Sequence, residues 1–300
     1  MFGSLKSRLP RLRANLPAFV MILPVQLLVL AMIFIPVIAV AWLSLNKSSF
    51  GQAPVWVGFD NYVSVLSDPY FWRGLRNTVI VVLIVVHAEL LLGLGMALLF
   101  ASGTPFKALM LAAVLAPYAV SEISAVVMWR YLFDVDIGFA TQLLNALGLP
   151  SLEWSINPLH GLILVALLSI WLHLPFTFVI LYAARLAIPK DLYDAAGVDG
   201  ATAWQKFRRV TLPLLMPAML IAMLFRYIFA FRLFTEVWLM TGGGPARQTE
   251  VLAVYLYLEA FRYNAFGEAA ATGWLLVIAS LALALVYLRK LYKEMFAANA

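Results

Sequence analysis

The stretch "DLYDAAGVDGATAWQKFRRVTLPLL", Asp191–Leu215, is the most polar long run of a 300-residue chain that is otherwise strongly apolar. Pro189 and Asp191 are typical of a first helical turn, where proline is tolerated and the helix dipole favours an acid. The pair Asp199–Gly200 is a turn or helix-end signal. The pattern therefore predicts a short helix, a turn and a second short helix that ends at Pro213.

The composition puts this polar stretch in an apolar setting, because 64% of the chain is hydrophobic and only 12% is charged. Soluble domains have about 45–50% apolar and about 25% charged residues, so the lipid bilayer must be the solvent of this chain. The absence of cysteine excludes disulfides, thiolate metal sites and cysteine nucleophiles. The net charge of +6 is spread between apolar segments, which predicts contact with membrane lipids and no nucleic acid partner.

Six segments hold the roughly 20 apolar residues that a helix needs to cross the hydrocarbon core of a bilayer. They predict an all-α, polytopic membrane protein with six transmembrane helices. The predicted spans are Leu16–Leu45, Asn77–Phe100, Ala108–Tyr131, Leu159–Ala184, Leu214–Met240 and Ala269–Leu288.

The distribution of Lys and Arg predicts how these spans are oriented. With a cytoplasmic N-terminus, thirteen of the 21 basic residues lie in cytoplasmic segments, six in outer loops and two within a span. Because cytoplasmic loops carry the excess of basic residues, we expect both termini in the cytoplasm. Residues 1–15 are then a cytoplasmic N-terminal segment, residues 16–300 a transmembrane domain, and the polar stretch a cytoplasmic loop. A signal peptide would also start with basic residues, but its apolar run is only about 7–15 residues long and a small-residue cleavage site follows it.

Motifs for catalysis and metal binding are missing from the sequence. It has no GxxxxGK[ST] loop for a nucleotide, no HExxH and no GxSxG. The three histidines, His87, His160 and His173, are too dispersed to indicate a metal cluster. We therefore expect no catalytic residue, no metal site and no cofactor on this chain, and a membrane enzyme is the least supported class of function.

Periodicity leaves two interpretations of the polar stretch open. One is a compact knob that projects into the cytoplasm, with small residues that let another surface approach its backbone. The other is an amphipathic helix that lies on lipid headgroups, an interpretation with which Arg208 and Arg209 agree.

The segment "DAAGVDGATAWQKFRRVTLPLLMP", Asp194–Pro217, resembles the EAA loop of inner-membrane permeases of binding-protein-dependent ABC importers. Asp194 stands where that family usually has glutamate, which is a conservative departure. The positions that match the family pattern are Ala195, Ala196, Asp199, Gly200, Ala201, Phe207, Leu212, Pro213 and Pro217.

Three further segments resemble the maltose-type permeases, the carbohydrate-uptake branch of that family. They are "GFDNYVSVLSDPYFWRGLRNTV" (Gly58–Val79), "WLHLPFTFVILYAARLAIPKDLYDAA" (Trp171–Ala196) and "TGGGPARQTEVLAVYLYLEAF" (Thr241–Phe261). The resemblance runs from about residue 17 to the C-terminus.

The resemblance implies a type I ABC importer permease fold and a set of partners. These are a second, homologous permease, two cytoplasmic ATPase subunits that bind ATP and Mg²⁺, and an extracytoplasmic solute-binding protein, all at the cytoplasmic membrane of a bacterium or archaeon. Residues about 189–213 would be the coupling loop that docks on an ATPase subunit. The residues implied in this contact are Asp194, Ala195, Ala196, Asp199, Gly200, Ala201, Phe207 and Pro213.

The implied substrate is a sugar, an oligosaccharide or a polyol, and its path must be argued from polar groups in the membrane. Ionisable residues inside a membrane are costly and indicate function, and aromatic rings can stack on sugar faces. The predicted path residues are Arg232, Glu236, Phe229, Phe234, Glu122 and Trp129.

Other interpretations of the path residues and of the function stay open. Arg232 and Glu236 are spaced i,i+4 and could only neutralise each other, the aromatic residues could only pack, and Arg226 fits a packing role. The alternative functions are a glycerol-phosphate-type ABC importer permease, whose phosphate the arginines could meet, and an autonomous secondary transporter, which would need no docking loop.

Overall fold

The computed structural model describes residues 9–103 and 105–297. Within these ranges the chain folds into thirteen α-helices and one small hairpin. The first eight residues of the predicted N-terminal segment 1–15 lie outside the described residues, and residues 9–15 already belong to the first helix.

Five helical segments are long and apolar enough to cross a membrane, or six if one strongly bent pair counts as a single span. Four of them are single helices, and the fifth, residues 203–230, joins α10 to the shorter α9 without a break. The long helices are α1 (Leu9–Ser44), α3 (Pro69–Ala101), α7 (Pro158–Leu186), α10 (Leu212–Ala230) and α13 (Phe266–Ala297).

The shorter elements connect the long helices at their ends. The hairpin pairs β1 (Asn46–Lys47) with β2 (Val55–Trp56) antiparallel, with Asn46 opposite Trp56, and it is the one departure from the predicted all-α class among the described residues. The shorter helices are α2 (Asp60–Ser67), α4 (Lys107–Leu115), α5 (Glu122–Leu132), α6 (Phe139–Ala146), α8 (Lys190–Val198), α9 (Ala203–Lys206), α11 (Thr235–Met240) and α12 (Leu252–Tyr257).

The third predicted span, Ala108–Tyr131, is not one straight helix. After α4 the chain makes a 3-10 turn at Ala116–Ala119, and α5 then leaves at 104° to the first half. Pro117 sits in this turn and cannot donate a backbone hydrogen bond, which is a common cause of a sharp break. Ser121 has an extended backbone and starts α5 as an N-cap, because its Oγ accepts from the amide of Ser124 at 3.2 Å.

The fifth predicted span, Leu214–Met240, is also interrupted, so its expected continuous helix is wrong. α10 ends at Ala230, and the chain turns through Phe231–Phe234 before α11 begins. Bulky aromatic side chains are poor helix formers, and here Phe231 and Leu233 turn inward and are buried. Burying these two side chains is the gain that offsets the lost helical hydrogen bonds.

The core forms where α3 and α7 pack along most of their lengths. Val81, Val85 and Leu164 are almost fully buried there, in a cluster with residues of α5 and α11. A Cβ added at Gly93 of α3 would lie 3.2 Å from the Thr177 methyl group of α7. Without a hydrophobic driving force between helices in lipid, such small residues let two backbones approach closely.

By contrast, α1 has little contact with the rest of the chain and packs mainly on α13. Its side chains from residue 20 to residue 40 are all exposed. In a membrane this surface faces lipid or another subunit rather than water, which its apolar sequence requires.

Candidate functional site

A cavity of about 570 Å³ lies where the two broken spans meet the middle of α7. The 3-10 turn and the start of α5 form one wall, residues 169–176 of α7 a second, and the segment from Arg226 to Glu236 the third. Since α7 spans residues 158–186, this places the cavity near the centre of that helix. Broken membrane helices are tolerated where their freed backbone groups line a cavity, and transporters commonly bind substrate at such places.

A buried ion pair stands at one edge of the cavity. The guanidinium of Arg226 donates through Nε and Nη2 to the carboxylate of Glu89, with Nη2 at 2.7 Å from Oε1. Glu89 has 0% exposure and Arg226 3%, and the two residues are 137 positions apart in the sequence. Arg226 lines the cavity, whereas Glu89 does not. Arg226 therefore both packs inside the protein, as the sequence suggested, and faces the cavity. Two oppositely charged residues on different predicted spans are the signal that points to such a pair.

His173 faces the same cavity from α7. Its Nδ1 donates to the carbonyl oxygen of Ser169 at 2.9 Å, which fixes the ring. Tyr118 and Phe176 also line the cavity, and Phe176 is a residue to which no pattern in the sequence points. Tyr118 lies in the 3-10 turn, and the break in the third span brings it to the same cavity as His173 and Phe176 of α7.

Five of the six predicted path residues line the cavity, and these are Arg232, Glu236, Phe229, Phe234 and Glu122. Among the described residues, no ion pair within 4 Å joins Arg232 to Glu236. The i,i+4 pairing that the sequence left open as an alternative does not form, because the helix is interrupted between the two residues. Arg232 is exposed, whereas Glu236 is only 4% exposed and stands in the first turn of α11.

Trp129 is the sixth predicted path residue, and it is not among those that line the cavity. Its ring stacks on Phe133 with centroids 5.3 Å apart and tilts against Trp171 at 5.9 Å. This aromatic group packs on the core of α3, α5 and α7. The sequence could not distinguish a packing tryptophan from one that faces a cavity.

The predicted helix, turn and second helix of the polar stretch form as expected, with α8 followed by α9. α8 ends in a Schellman motif, in which Gly200 N–H donates to the Gly197 carbonyl at 3.0 Å and Ala201 N–H to the Ala196 carbonyl at 2.9 Å. Gly200 has φ +71°, a left-handed conformation that glycine adopts without strain. α9 starts with a capping box between Thr202 and Gln205.

The predicted end of the second helix at Pro213 is wrong. α9 runs through a π turn at Phe207–Thr211 directly into α10, and Pro213 lies in the first turn of α10. Proline is tolerated in the first turn of a helix, where its missing N–H has no partner in the helix, so the helical segment continues through Pro213.

The two short helices α8 and α9 contain no buried residue. Of the predicted coupling residues, Asp194, Ala195, Asp199, Gly200 and Pro213 are exposed, and Ala196, Ala201 and Phe207 are half-buried. Val198 is 90% exposed and Trp204 66% exposed. Large apolar side chains beside exposed acids and glycine indicate a surface that meets a partner.

This exposed surface is attached firmly to the spans on either side. The hydroxyl of Tyr193 in α8 is 2.9 Å from Oγ1 of Thr211, and the guanidinium of Arg185 in α7 lies 4.5 Å above the Tyr193 ring. α7, α8 and the π turn before α10 are therefore linked by direct side-chain contacts. Both α7 and α10 carry side chains of the cavity.

At the opposite end, the segment Thr241–Phe261 is fixed on α3. Asn77 Nδ2 donates to the carbonyl oxygens of Gln248 and Glu250 at 2.8 and 2.9 Å. Burial raises the pKa of the Glu259 carboxyl to about 7, and the nearby Glu268 carboxylate adds to the increase. The loop is thus a rigid, charged surface at the end of the molecule away from α8.

The sequence profile of one family, described as binding-protein-dependent transport system inner membrane component, matches residues 69–290. The chain belongs to this family. It is a transmembrane permease subunit of an ABC importer and not an enzyme.

Individual relatives align over almost the whole permease. It is 32% identical over 290 residues to the trehalose/maltose transport system permease protein MalF of Thermococcus litoralis, covering 96% of this chain and 98% of the relative. It is 33% identical over 279 residues to the sulfoquinovosyl glycerol transport system permease protein SmoG of Agrobacterium fabrum, covering 92% and 90%.

A solved structure shares the fold of the permease. A chain of a bacterial ABC transporter involved in the import of the acidic polysaccharide alginate superposes with a TM-score of 0.83 at 20% sequence identity, covering 96% of this chain and 99% of that one. The predicted type I ABC importer permease fold is therefore confirmed.

Proposed function

We propose that this permease moves a sugar, oligosaccharide or polyol through the cavity between α5, α7 and α10. The observation that carries the proposal is the composition of its lining, in which the aromatic side chains of Phe229 and Phe234 stand beside the polar groups of Arg226, Arg232 and Glu236. Sugars present both apolar faces and hydroxyl groups, so aromatic rings and charged hydrogen-bonding groups together suit them. The names of the relatives above, which include trehalose, maltose and a sulfoquinovosyl glycerol, support a carbohydrate substrate.

The proposal includes six spans, with the bent pair α4 and α5 counted as one, and both termini in the cytoplasm of a bacterial or archaeal cell. The bias of basic residues supports this orientation. It places α8 and α9 in the cytoplasm and the loop from Thr241 to Phe261 outside.

The proposed partners follow from this orientation. Two ATPase subunits, which bind ATP and Mg²⁺, face the cytoplasmic side, and α8 docks on one of them. A second permease completes the membrane part, and a solute-binding protein meets the outer surface. The exposed Val198 and Trp204 support docking at α8, because an apolar surface of this kind needs a partner.

The contacts around α8 explain how ATP-driven movement would reach the cavity. A shift of α8 acts on α7 through Tyr193 and Arg185, and on α10 through Thr211. α7 carries His173 and α10 carries Arg226, so a relative movement of these two helices changes the cavity itself. Such rigid coupling of a docking element to two walls suits alternating access.

The test uses two phenylalanines of α10 that are one helical turn apart. Phe229 lines the cavity, whereas Phe225 stacks on it at 6.2 Å between ring centroids and does not line the cavity. The solute-binding protein is first screened for its sugar, and uptake of that sugar and sugar-stimulated ATPase activity are then measured in the assembled complex. Phe229→Ala should lower uptake about tenfold or more, consistent with a stacking contact of one to a few kcal/mol, and Phe225→Ala should lower it much less. Equal uptake by both variants would contradict the proposed path.

A further inference from the structure

The charged side chains of the cavity are not balanced. Among the described residues, its lining contains four side chains with a formal charge: the carboxylates of Glu122 and Glu236 and the guanidinium groups of Arg226 and Arg232. His173 and Tyr118 are the other two titratable groups that line it.

The charge of Arg226 is compensated from behind the cavity wall. Glu89 accepts from Nε and Nη2 of Arg226 and is itself completely buried outside the lining. The pair therefore presents a hydrogen-bond donor to the cavity, because Nη1 is not one of the nitrogens that Glu89 engages, and the formal charge of the pair is zero.

The two carboxylates have no such partner within the part of the chain that the structure describes. Glu236 is 4% exposed and makes no ion pair within 4 Å there. The Glu122 carboxylate repels it, and the guanidinium of Arg226 attracts it through space without a direct contact. Each stands in the first turn of its helix, where the helix dipole favours a negative charge. Two carboxylates against the one guanidinium of Arg232 leave the lining with an excess of one negative formal charge.

We propose that the cavity selects saccharides without negative charge, and that Glu122 and Glu236 are the residues that exclude anionic ones. This inference rests on the proposed sugar path. A neutral sugar donates its hydroxyl groups to the two carboxylates and accepts from Arg226 and Arg232. A carboxylate, phosphate or sulfonate on the substrate would lie near two acids and only one arginine that lacks an ion-pair partner. It would lose its hydration in the cavity without gaining enough positive charge to compensate.

The shared fold does not decide this point. The similar solved chain belongs to a transporter of an acidic polysaccharide, but a fold hosts different specificities and the side chains of the site determine them. The same charge balance argues against the glycerol-phosphate alternative that the arginines in the sequence suggested.

The absence of cysteine from this chain allows a direct measurement of the cavity charge. A single cysteine is placed at Thr235, which lines the cavity, and another at the exposed Gln142 of α6 as a reference. In the assembled complex, with the cysteines of all other subunits replaced, each is reacted with a cationic trimethylammonium-ethyl and an anionic sulfonato-ethyl methanethiosulfonate. At each cysteine, the rate constant of the cationic reagent is divided by that of the anionic reagent. The measured quantity is this ratio at Thr235→Cys divided by the same ratio at Gln142→Cys.

The double change Glu122→Gln with Glu236→Gln should lower this normalised ratio about tenfold, since the sign of a cleft sets the local concentration of small ions. Arg232→Gln should raise it, which a nonspecific loss of structure would not do. Glu153→Gln, at an exposed acid outside the cavity, should leave it unchanged. A ratio that stays constant in both cavity variants, or an original cavity that favours the anionic reagent, would overturn the charge assignment.

The substrate itself gives a second measurement that separates this inference from the proposed function. Uptake is measured for the ligand that the solute-binding protein selects, and its charge is determined. Import of a neutral sugar supports both proposals. Import of a uronate, a sugar phosphate or a sugar sulfonate leaves the sugar-import function intact and refutes the exclusion of anions, and import of a compound that is not a carbohydrate refutes the proposed function.

Discussion

At the scale of single residues, the pair of Glu89 and Arg226 is the most consequential feature that the tertiary structure adds. Both side chains are buried at a depth where an isolated charge is costly. Removing one partner leaves an uncompensated charge, whereas replacing both with apolar residues removes the cost of taking them out of water. The pair can therefore be tested separately for its part in stability and for its part in transport.

Arg226→Met should destabilise the permease by about 3–5 kcal/mol, because it leaves the Glu89 carboxylate buried without a partner. The double change Glu89→Leu with Arg226→Met should be much closer to the original protein in stability. Uptake should fail in both, since both remove the donor groups that Arg226 presents to the cavity. The measurements are thermal unfolding of the purified complex and uptake in proteoliposomes.

Arg76→Met is the control for these variants, because Arg76 is an exposed residue on the same helix as Glu89 and it should have little effect. A double variant as unstable as Arg226→Met would show that the loss does not come from a stranded charge. Full uptake by the double variant would instead remove Arg226 from the proposed path.

At the scale of elements, the turn between α8 and α9 is suited to docking by its backbone. Gly200 adopts φ +71°, and a Cβ added to it would meet no atom within 4 Å. A side chain at this position therefore points into open space, where it would not disturb the chain itself but would meet anything that docks there. The Schellman motif keeps this bare surface in a fixed orientation.

Gly200→Trp should abolish ATP-driven uptake and weaken the association of the ATPase subunit, while insertion and pairing with the second permease remain. Gly148 offers a matched control, since it has φ +72° and a Cβ added there would also meet no atom within 4 Å, but it lies in the loop after α6 at the opposite end. Both substitutions carry the same left-handed backbone cost of about 1–2 kcal/mol. The measurements are uptake and copurification of the ATPase.

Equal losses in Gly200→Trp and Gly148→Trp would mean that backbone strain, and not blocked docking, causes the defect. Normal transport by Gly200→Trp would leave the interpretation in which α8 and α9 only lie on lipid headgroups.

At the scale of the whole molecule, the two ends of the permease have different surfaces. One end carries the exposed helices α8 and α9, and the other carries the loop from Thr241 to Phe261, fixed on α3 by Asn77. The cavity lies between them beside the middle of α7. If the proposed orientation is right, the docking surface for the ATPase and the surface for the solute-binding protein stand on opposite sides of the membrane.

The orientation can be measured with single cysteines in intact cells, because the chain has no cysteine of its own. Cysteines at Ser49 and Gln142 should react with an impermeant maleimide added outside, and a cysteine at Gln205 should react only after the cells are permeabilised. The positive-inside bias and the position of Gln205 in α9 are the physical reasons. Outer labelling at Gln205 would refute both the topology and the coupling role of α8.

The membrane class, the approximate positions of the spans and the two short helices of the polar stretch could all be predicted from the sequence. These features follow from local composition and local backbone signals. Long apolar runs must lie in lipid, and Asp199–Gly200 specifies a helix end wherever the segment lies in space. The resemblance of Asp194–Pro217 to a known loop was specific for the same reason, since its spacing is a property of one short segment.

Which polar residues share a site could be learned only from the folded chain. The break at Phe231–Phe234 accompanies the burial of Phe231 and Leu233 against other helices. Pro117 lacks a backbone donor, but a membrane helix can also continue through a proline, so the sequence predicted both spans as continuous. The partner of Arg226 lies 137 residues away on α3. Arg232 and Glu236, which a continuous helix would place one turn apart, form no ion pair within 4 Å in the described residues. The sequence does not distinguish Trp129 from Phe234, since both are aromatic residues of predicted spans. In the folded chain, Trp129 packs against the core between α5 and α7. Phe234 lies in the break before α11 and lines the cavity. Local patterns fix elements, but the contacts between distant elements fix the site.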